Sequence, residues 1–290
     1  MYTELTRSQF MILDSLESSG HIPENDCTNQ DYQHLCKIGL ITDGGVGLTQ
    51  KGYMSLDPYR VKRAVFIAAG FGSRLVPITL NTPKPLVRVN GTRIIDTLID
   101  AVLSAGINEI YIVRGYLAEQ FDQLLYKYPM LQFIENPAYN EANNISSIMC
   151  ARYLLRNAYV LESDLLLRNP GLIRKYHYTS NFLGIREARS DDWCFTVNND
   201  GIITSQTVGG MNCWQEVGIS YWSDEDGRKL SEHIRQAYEM PGGKERYWDQ
   251  VPFTVFPEDY QVEIRECVEE DVTEINTWRE LKALDRAYDA

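Results

Sequence analysis

The sequence predicts an α/β protein with a Rossmann-like, mostly parallel sheet, preceded by a small separate domain. Three observations carry that prediction. From Lys62 onward, short apolar runs alternate with stretches of helical spacing, as in a parallel sheet covered by helices on both faces. The first such run, Val65-Phe66-Ile67, opens into the glycine loop Ala68-Ala69-Gly70-Phe71-Gly72-Ser73-Arg74-Leu75. Before residue 60 the order is different: two helical stretches, a glycine-rich hairpin and a third helix. We therefore divide the chain into domains 1–60 and 61–290, with Asp57-Pro58-Tyr59-Arg60 as the linker.

In chain order, Thr6 to Leu16 has helical spacing at Phe10, Ile12, Leu13 and Leu16, and Asn29 to Ile38 offers a second helix. Residues 39–49 read as a hairpin turned by glycines, and Gln50 to Leu56 begins a third helix. In the larger domain, strands are expected at 65–67, 110–113, 131–135 and 159–162. Helices are expected at 93–105, 117–126 and 144–155. After Asn169 the regularity weakens, with strands expected at 182–185, 193–197, 202–203 and 216–221 and helices at 226–238 and 277–288. The acidic stretch Glu263 to Glu274 reads as solvated surface. Gly70-Gly72, Asn136 and Asp164 each follow a strand end, which places them on the rim where such sheets bind ligands.

Bulk composition narrows the function classes. At 44% hydrophobic and 23% charged residues the chain reads as globular. No apolar run reaches the roughly 18 to 20 residues of a membrane span, and Met1-Tyr2-Thr3-Glu4 does not open a secretory signal, so no membrane association and a cytoplasmic location are expected. The six cysteines are scattered without C-x-x-C spacing and read as reduced thiols. A net charge of −12 argues against nucleic acid as a partner.

The glycine loop points to phosphate chemistry. Gly70 and Gly72 let the backbone approach a polyphosphate, and Ser73 and Arg74 stand where a turn would direct N–H groups at the same anion. No G-K-[ST] closes the loop, and Leu75 stands where a dinucleotide fingerprint needs a third glycine. Ten residues after Arg74, Lys84 is held on the stiff segment Thr82-Pro83-Lys84-Pro85-Leu86.

The pairing of A-A-G-x-G-S-R-L with T-P-K-P-L resembles the nucleotidyltransferases that join a nucleoside triphosphate to a phosphorylated small molecule. Arg114 to Phe121, Asn143-Asn144, Glu162-Ser163-Asp164, Gly218 to Trp222 and Tyr247-Trp248-Asp249 extend the resemblance toward the bacterial choline-phosphate cytidylyltransferases. It implies the nucleotide-diphospho-sugar transferase fold and the reaction of CTP with phosphocholine to give CDP-choline and pyrophosphate. The same chemistry on phosphoethanolamine, 2-aminoethylphosphonate or a sugar phosphate is the alternative. Residues 1–60 look like a winged helix, but five basic against eight acidic side chains in residues 1–62 favour packing, dimerisation or regulation over DNA binding. A homo-oligomer formed through this module is left open, as is a regulator that only senses a nucleotide.

From that resemblance, Arg74 is expected to grip the departing phosphates and Lys84 to contact the α-phosphate or the acceptor phosphate. Ala68, Ala69, Gly70, Gly72, Ser73, Gly115 and Asn136 are expected around the nucleotide. Mg2+ is expected on Asp164 and Asp249, with Glu162, which replaces the family's first aspartate, in an outer shell. For the acceptor we expect Asn144, Trp193, Trp248 and Tyr221, the rings forming a cage for a quaternary ammonium group.

Overall fold

The structure is a computed structural model and describes residues 4–21, 29–42, 45 and 47–289. Its contacts divide the chain into two units, Met1–Arg60 with Tyr176–Tyr178, and Val61–Lys175 with Thr179–Ala290.

In the first unit, α1 (Arg7–Ser19) starts at a capping box in which Thr6 and Gln9 satisfy each other's backbone N–H, and it stops at Gly20, whose φ of 71° few other residues adopt. It is followed by α2 (Asn29–Lys37) and by α3 (Gln50–Leu56), capped by Thr49. The expected hairpin is represented by a single bridge between Ile41 and Leu48, and its turn residues Asp43, Gly44 and Val46 lie outside the described residues. Leu5, Phe10, Ile12, Leu13, Leu16, Leu35, Leu40 and Leu56 form this unit's core together with Tyr176.

The second unit is built on strands β1 (Arg63–Ala68), β2 (Arg88–Val89), β3 (Thr92–Arg93), β4 (Glu109–Arg114), β5 (Gln132–Glu135), β6 (Ala158–Glu162), β7 (Leu165–Leu167), β8 (Asn181–Val197), β9 (Ile203–Trp222), β10 (Glu263–Cys267) and β11 (Val272–Glu274). Its helices are α4 (Ile94–Ser104), α5 (Ile145–Ala151), α6 (Asp224–Glu239) and α7 (Trp278–Leu284). Seven strands form one sheet in the order β10-β8-β9-β6-β1-β4-β5. β1 pairs in parallel with both β4 and β6, whereas β9 runs antiparallel to β6 and β8. Along β1, Ala64, Phe66 and Ala68 pack into the cluster containing α4, while Val65 packs on the opposite side against Ala151. Burial on both faces explains why the run is apolar without alternation. Each fully buried Val or Phe there contributes about 1.5–3 kcal/mol.

The chain leaves β1 for β4 and β5 on one side and returns to β6 on the other. The crevice beyond the ends of β1 and β6 is thus a topological switch point.

Three expectations change. Residues 118–126 form 3-10 turns instead of an α-helix; the Arg114 guanidinium takes the Ala118 carbonyl (3.0 Å) that the first helical turn would use. The separate short strands expected after Asn169 merge into the long pair β8–β9, whose register shifts between Ser190 and Trp193 let it bend. The stretch Glu263–Glu274 is not simply solvated surface: β10 pairs in parallel with β8, and β11 pairs with β7.

Candidate active site

The loop after β1 makes one wall of a cleft of about 650 Å³ lined by Ala68, Gly70, Gly72, Ser73 and Arg74. Gly72 has φ 68°, and a Cβ there would stand 3.1 Å from Lys84 Cβ and 3.3 Å from Thr79 Cγ2. The glycine therefore brings the loop against the stem of Lys84. Thr79 locks the approach by donating its hydroxyl to the Gly72 carbonyl at 3.1 Å.

Lys84 is 7% exposed, so its charge needs partners. Its Nζ donates to Asp164 Oδ2 at 2.7 Å and to Asn276 Oδ1 at 3.2 Å, and Arg74 Nη2 reaches the same Asn276 oxygen at 2.7 Å. One amide oxygen thus joins two cations that lie ten residues apart in sequence. Asn276 is delivered by β11, which pairs Glu274 with Leu165, and is fixed by a backbone N–H bond to Glu280 Oε2 (2.7 Å) at the start of α7.

The rest of the cleft is acidic. Glu162, Asp164, Asp192, Glu216, Asp249 and Glu274 all line it. Glu162 fits because residue 218 is glycine; a Cβ there would lie 2.6 Å from Glu162 Cγ. Burial raises the Glu162 pKa well above the carboxylate range, and the charges of Asp164, Asp249 and Glu274 add to this against Lys84. Burial likewise raises Glu216, with Asp249 next in importance, and raises Asp249 itself. Glu274 is pushed up to about 7, chiefly by burial and then by Asp164. So many carboxylates beside a single buried lysine make a site that gains from any cation a ligand brings.

The structure brings together Ala68, Gly70, Gly72, Ser73, Arg74, Lys84, Asn144, Asp164, Trp193 and Asp249. Asn144 accepts the Trp248 N–H at 2.9 Å and donates to Glu162 Oε1 at 3.4 Å, tying α5 to the 244–249 segment. Five expected residues do not line the cleft. Ala69 is buried, its carbonyl accepting the Tyr116 N–H at 3.0 Å. Gly115 accommodates the Tyr139 ring, which a Cβ would meet at 2.6 Å. Asn136 is buried and donates to the Ser146 and Ser147 hydroxyls.

Trp248 is 1% exposed and packs on Phe182 and Trp222, while Tyr221 is buried with its hydroxyl on Asn157 (3.1 Å). The cage therefore loses both rings to the core. Of the expected rings Trp193 lines the cleft, edge to face with Tyr247 at 5.6 Å. Sequence reasoning passed over Tyr247, Glu216, Glu274 and Asn276. Only Tyr247 carried a signal, as the neighbour of an expected residue.

A model of the nucleotidyl transferase family matches residues 63–181. The 2-aminoethylphosphonate cytidylyltransferase of Lancefieldella rimae is 35% identical over 228 residues, 78% of this chain and 92% of that protein. The choline-phosphate cytidylyltransferase of Streptococcus pneumoniae is 33% identical over 187 residues, 64% of this chain and 81% of that protein. Among solved structures, the CTP:phosphocholine cytidylyltransferase of S. pneumoniae superposes with a TM-score of 0.72 at 30% identity, covering 79% of this chain and 99% of the other. The inositol-1-phosphate CTP transferase of T. maritima, at 15% identity and a TM-score of 0.63, shares the fold. A family match that begins at β1 and spans the glycine loop and Asp164, with a relative this similar across nine-tenths of its length, establishes that the chain belongs to the nucleotidyl transferase family.

Proposed function

We propose that this nucleotidyltransferase moves a cytidylyl group from CTP to a small phosphonate or phosphate acceptor bearing a primary ammonium, such as 2-aminoethylphosphonate or phosphoethanolamine. The observation that carries the acceptor reading is the balance of the lining: Glu162, Asp192, Glu216 and Asp249 against the single ring pair Trp193–Tyr247. A primary ammonium is satisfied by carboxylates, whereas a trimethylammonium needs ring faces. The names of the relatives from L. rimae and S. pneumoniae support the cytidylyl chemistry. Phosphocholine, the acceptor expected from the sequence, is the second reading, favoured by that same ring pair.

In the reaction an acceptor phosphate or phosphonate oxygen forms a bond to the α-phosphorus of CTP, and the bond from that phosphorus to the bridging oxygen breaks, releasing pyrophosphate. The acceptor oxygen is already anionic, so no general base is required. Arg74 and Lys84 hold the two anions and offset their repulsion.

The residues present suit Mg2+. Asp164 Oδ1 is buried without a hydrogen-bond partner. Asp164 Oδ2 and Asn276 Oδ1 also converge on one cation, the Lys84 ammonium. Among the described residues no three His, Cys, Asp or Glu side chains gather to hold a metal. We therefore assign the ion to Asp164 and Asn276 with phosphate oxygens, the sparse protein ligation Mg2+ accepts. Bound there, it would neutralise charge on the transferring phosphates. Asp249, expected as the second ligand, also lines the cleft, and we keep it as a further ligand of the ion. For residues 1–60 a winged helix stays a proposal, supported by the helix, helix, bridge, helix order of the described residues.

Pyrophosphate release with Mg2+ tests the reading, using four nucleoside triphosphates against 2-aminoethylphosphonate, phosphoethanolamine, phosphocholine and glucose-1-phosphate, with Asp164→Ala as control. The expected result is turnover with CTP and the two amino acceptors. Turnover confined to phosphocholine returns the acceptor site to the rings. Silence across the grid moves the weight to a nucleotide sensor.

A further inference from the structure

We propose that Ser190 is a positioning residue for the acceptor: it holds the bulge in β8 that lets Asp192 and Trp193, neighbours in the chain, line one cleft. The inference rests on the cytidylyltransferase reading above.

Successive side chains of a regular strand point to opposite faces, so of two neighbours only one reaches a given cleft. Asp192 and Trp193 both line this one. The pairing of β8 with β9 shows why. Ser190 pairs with Gly210 and Trp193 with Val208, so Asp191 and Asp192 together face the single residue Gly209, whose φ is 74°. The extra residue is a bulge, which breaks the alternation and re-aims the side chains beside it.

The bulge is held from within. Ser190 is 8% exposed; its hydroxyl donates to Gln215 Oε1 at 2.8 Å, and its oxygen accepts the Asp192 N–H at 3.1 Å. A serine has one hydroxyl proton, and giving it to Gln215 leaves the oxygen to face the Asp192 amide as an acceptor. The carbonyl of Asp192 is held too, by the buried Cys194 thiol, which donates to it at 3.3 Å. Asp192 Oδ1 in turn accepts the Trp193 N–H at 2.8 Å, which fixes the carboxylate beside the ring. A carboxylate next to the Trp193–Tyr247 ring pair suits the cationic end of the acceptor. Arg74, Lys84 and Asp164 stand on the connections after β1 and β6 and owe nothing to the bulge.

The test uses the full chain. Ser190→Ala removes the hydroxyl, and Gln215→Leu removes the acceptor that orients it; the second variant decides the matter if the first does not fold. kcat is measured together with the KM for CTP, for 2-aminoethylphosphonate and for phosphocholine. Loss of the bond should raise the KM for both acceptors about tenfold in Ser190→Ala and about threefold in Gln215→Leu. kcat and the KM for CTP should stay within about twofold of wild type. The double variant should be no worse than Ser190→Ala, because both changes act through one hydroxyl. Unchanged acceptor KM values, a KM for CTP that rises in step with them, or effects that add in the double variant would overturn the role of Ser190 while leaving the transferase reading intact. A wild-type chain that turns over neither acceptor overturns both.

Discussion

Lys84 illustrates how a single side chain is placed for chemistry. Pro83 and Pro85 stiffen its backbone, Gly72 packs on its stem, and Asp164 and Asn276 take its ammonium. Replacing it by methionine keeps the stem and removes the charge, leaving Asp164 without its partner. We expect Lys84→Met to reduce kcat by at least about a hundredfold, the usual scale for losing a preorganised charge at a reacting phosphate, with the far-ultraviolet circular dichroism unchanged. A loss below tenfold would place Lys84 outside the reaction. Lys84, Arg74 and Asp164 were legible in the sequence because short motifs carry them. Asn276 was not, because an asparagine followed by Thr277 and Glu280 reads as the start of a capped helix, which it also is. Trp248 and Tyr247 show the same limit: adjacent residues on an irregular segment point to core and cleft respectively, and no periodicity announces which.

Elements carry the site by what they press against. α6 begins at Ser223, whose hydroxyl accepts the Asp226 N–H, and packs so closely on the connection between α5 and β6 that a Cβ at Gly227 would lie 2.2 Å from the Leu155 carbonyl oxygen. In an open helix Gly→Ala is stabilising by up to about 1 kcal/mol. Here the backbone of residues 155–156 must move, an overpacking cost of about 1–3 kcal/mol. Gly227→Ala should therefore lower the thermal midpoint, and a rise in calorimetry would show that α6 can shift freely. Strands β1, β4, β5 and β6 and helix α4 were legible because apolar runs and helical spacing mark them. β8–β9 were legible only as the separate pieces 182–185, 193–197 and 216–221, because bulges interrupt the pattern, and β11 was not legible, because the partner that defines it, β7, lies about a hundred residues earlier in the chain.

Across the whole molecule, all the side chains that line the cleft belong to the second unit, whereas Tyr176 and Tyr178 pack with the first. A chain reduced to residues 61–290 should accordingly retain turnover. It should also lose the partners of Tyr178, which stacks on Tyr59 at 5.5 Å and meets Phe10 at the same distance. We expect a lower melting temperature and more light scattering from the truncated chain; loss of turnover in a folded truncation would tie the first unit to catalysis. By itself the sequence determined the α/β class, the glycine loop and the three charged groups Arg74, Lys84 and Asp164 that line the cleft beside it, because these depend on local pattern and on short motifs. Only the tertiary structure decided which further residues line the cleft. Glu216 from β9, Asp249 from an irregular segment and Asn276, carried in by the pairing of β11 with β7 more than a hundred residues earlier in the chain, line one cleft. Whether an aromatic ring faces a ligand or the core is settled by that packing, not by the identity of the residue.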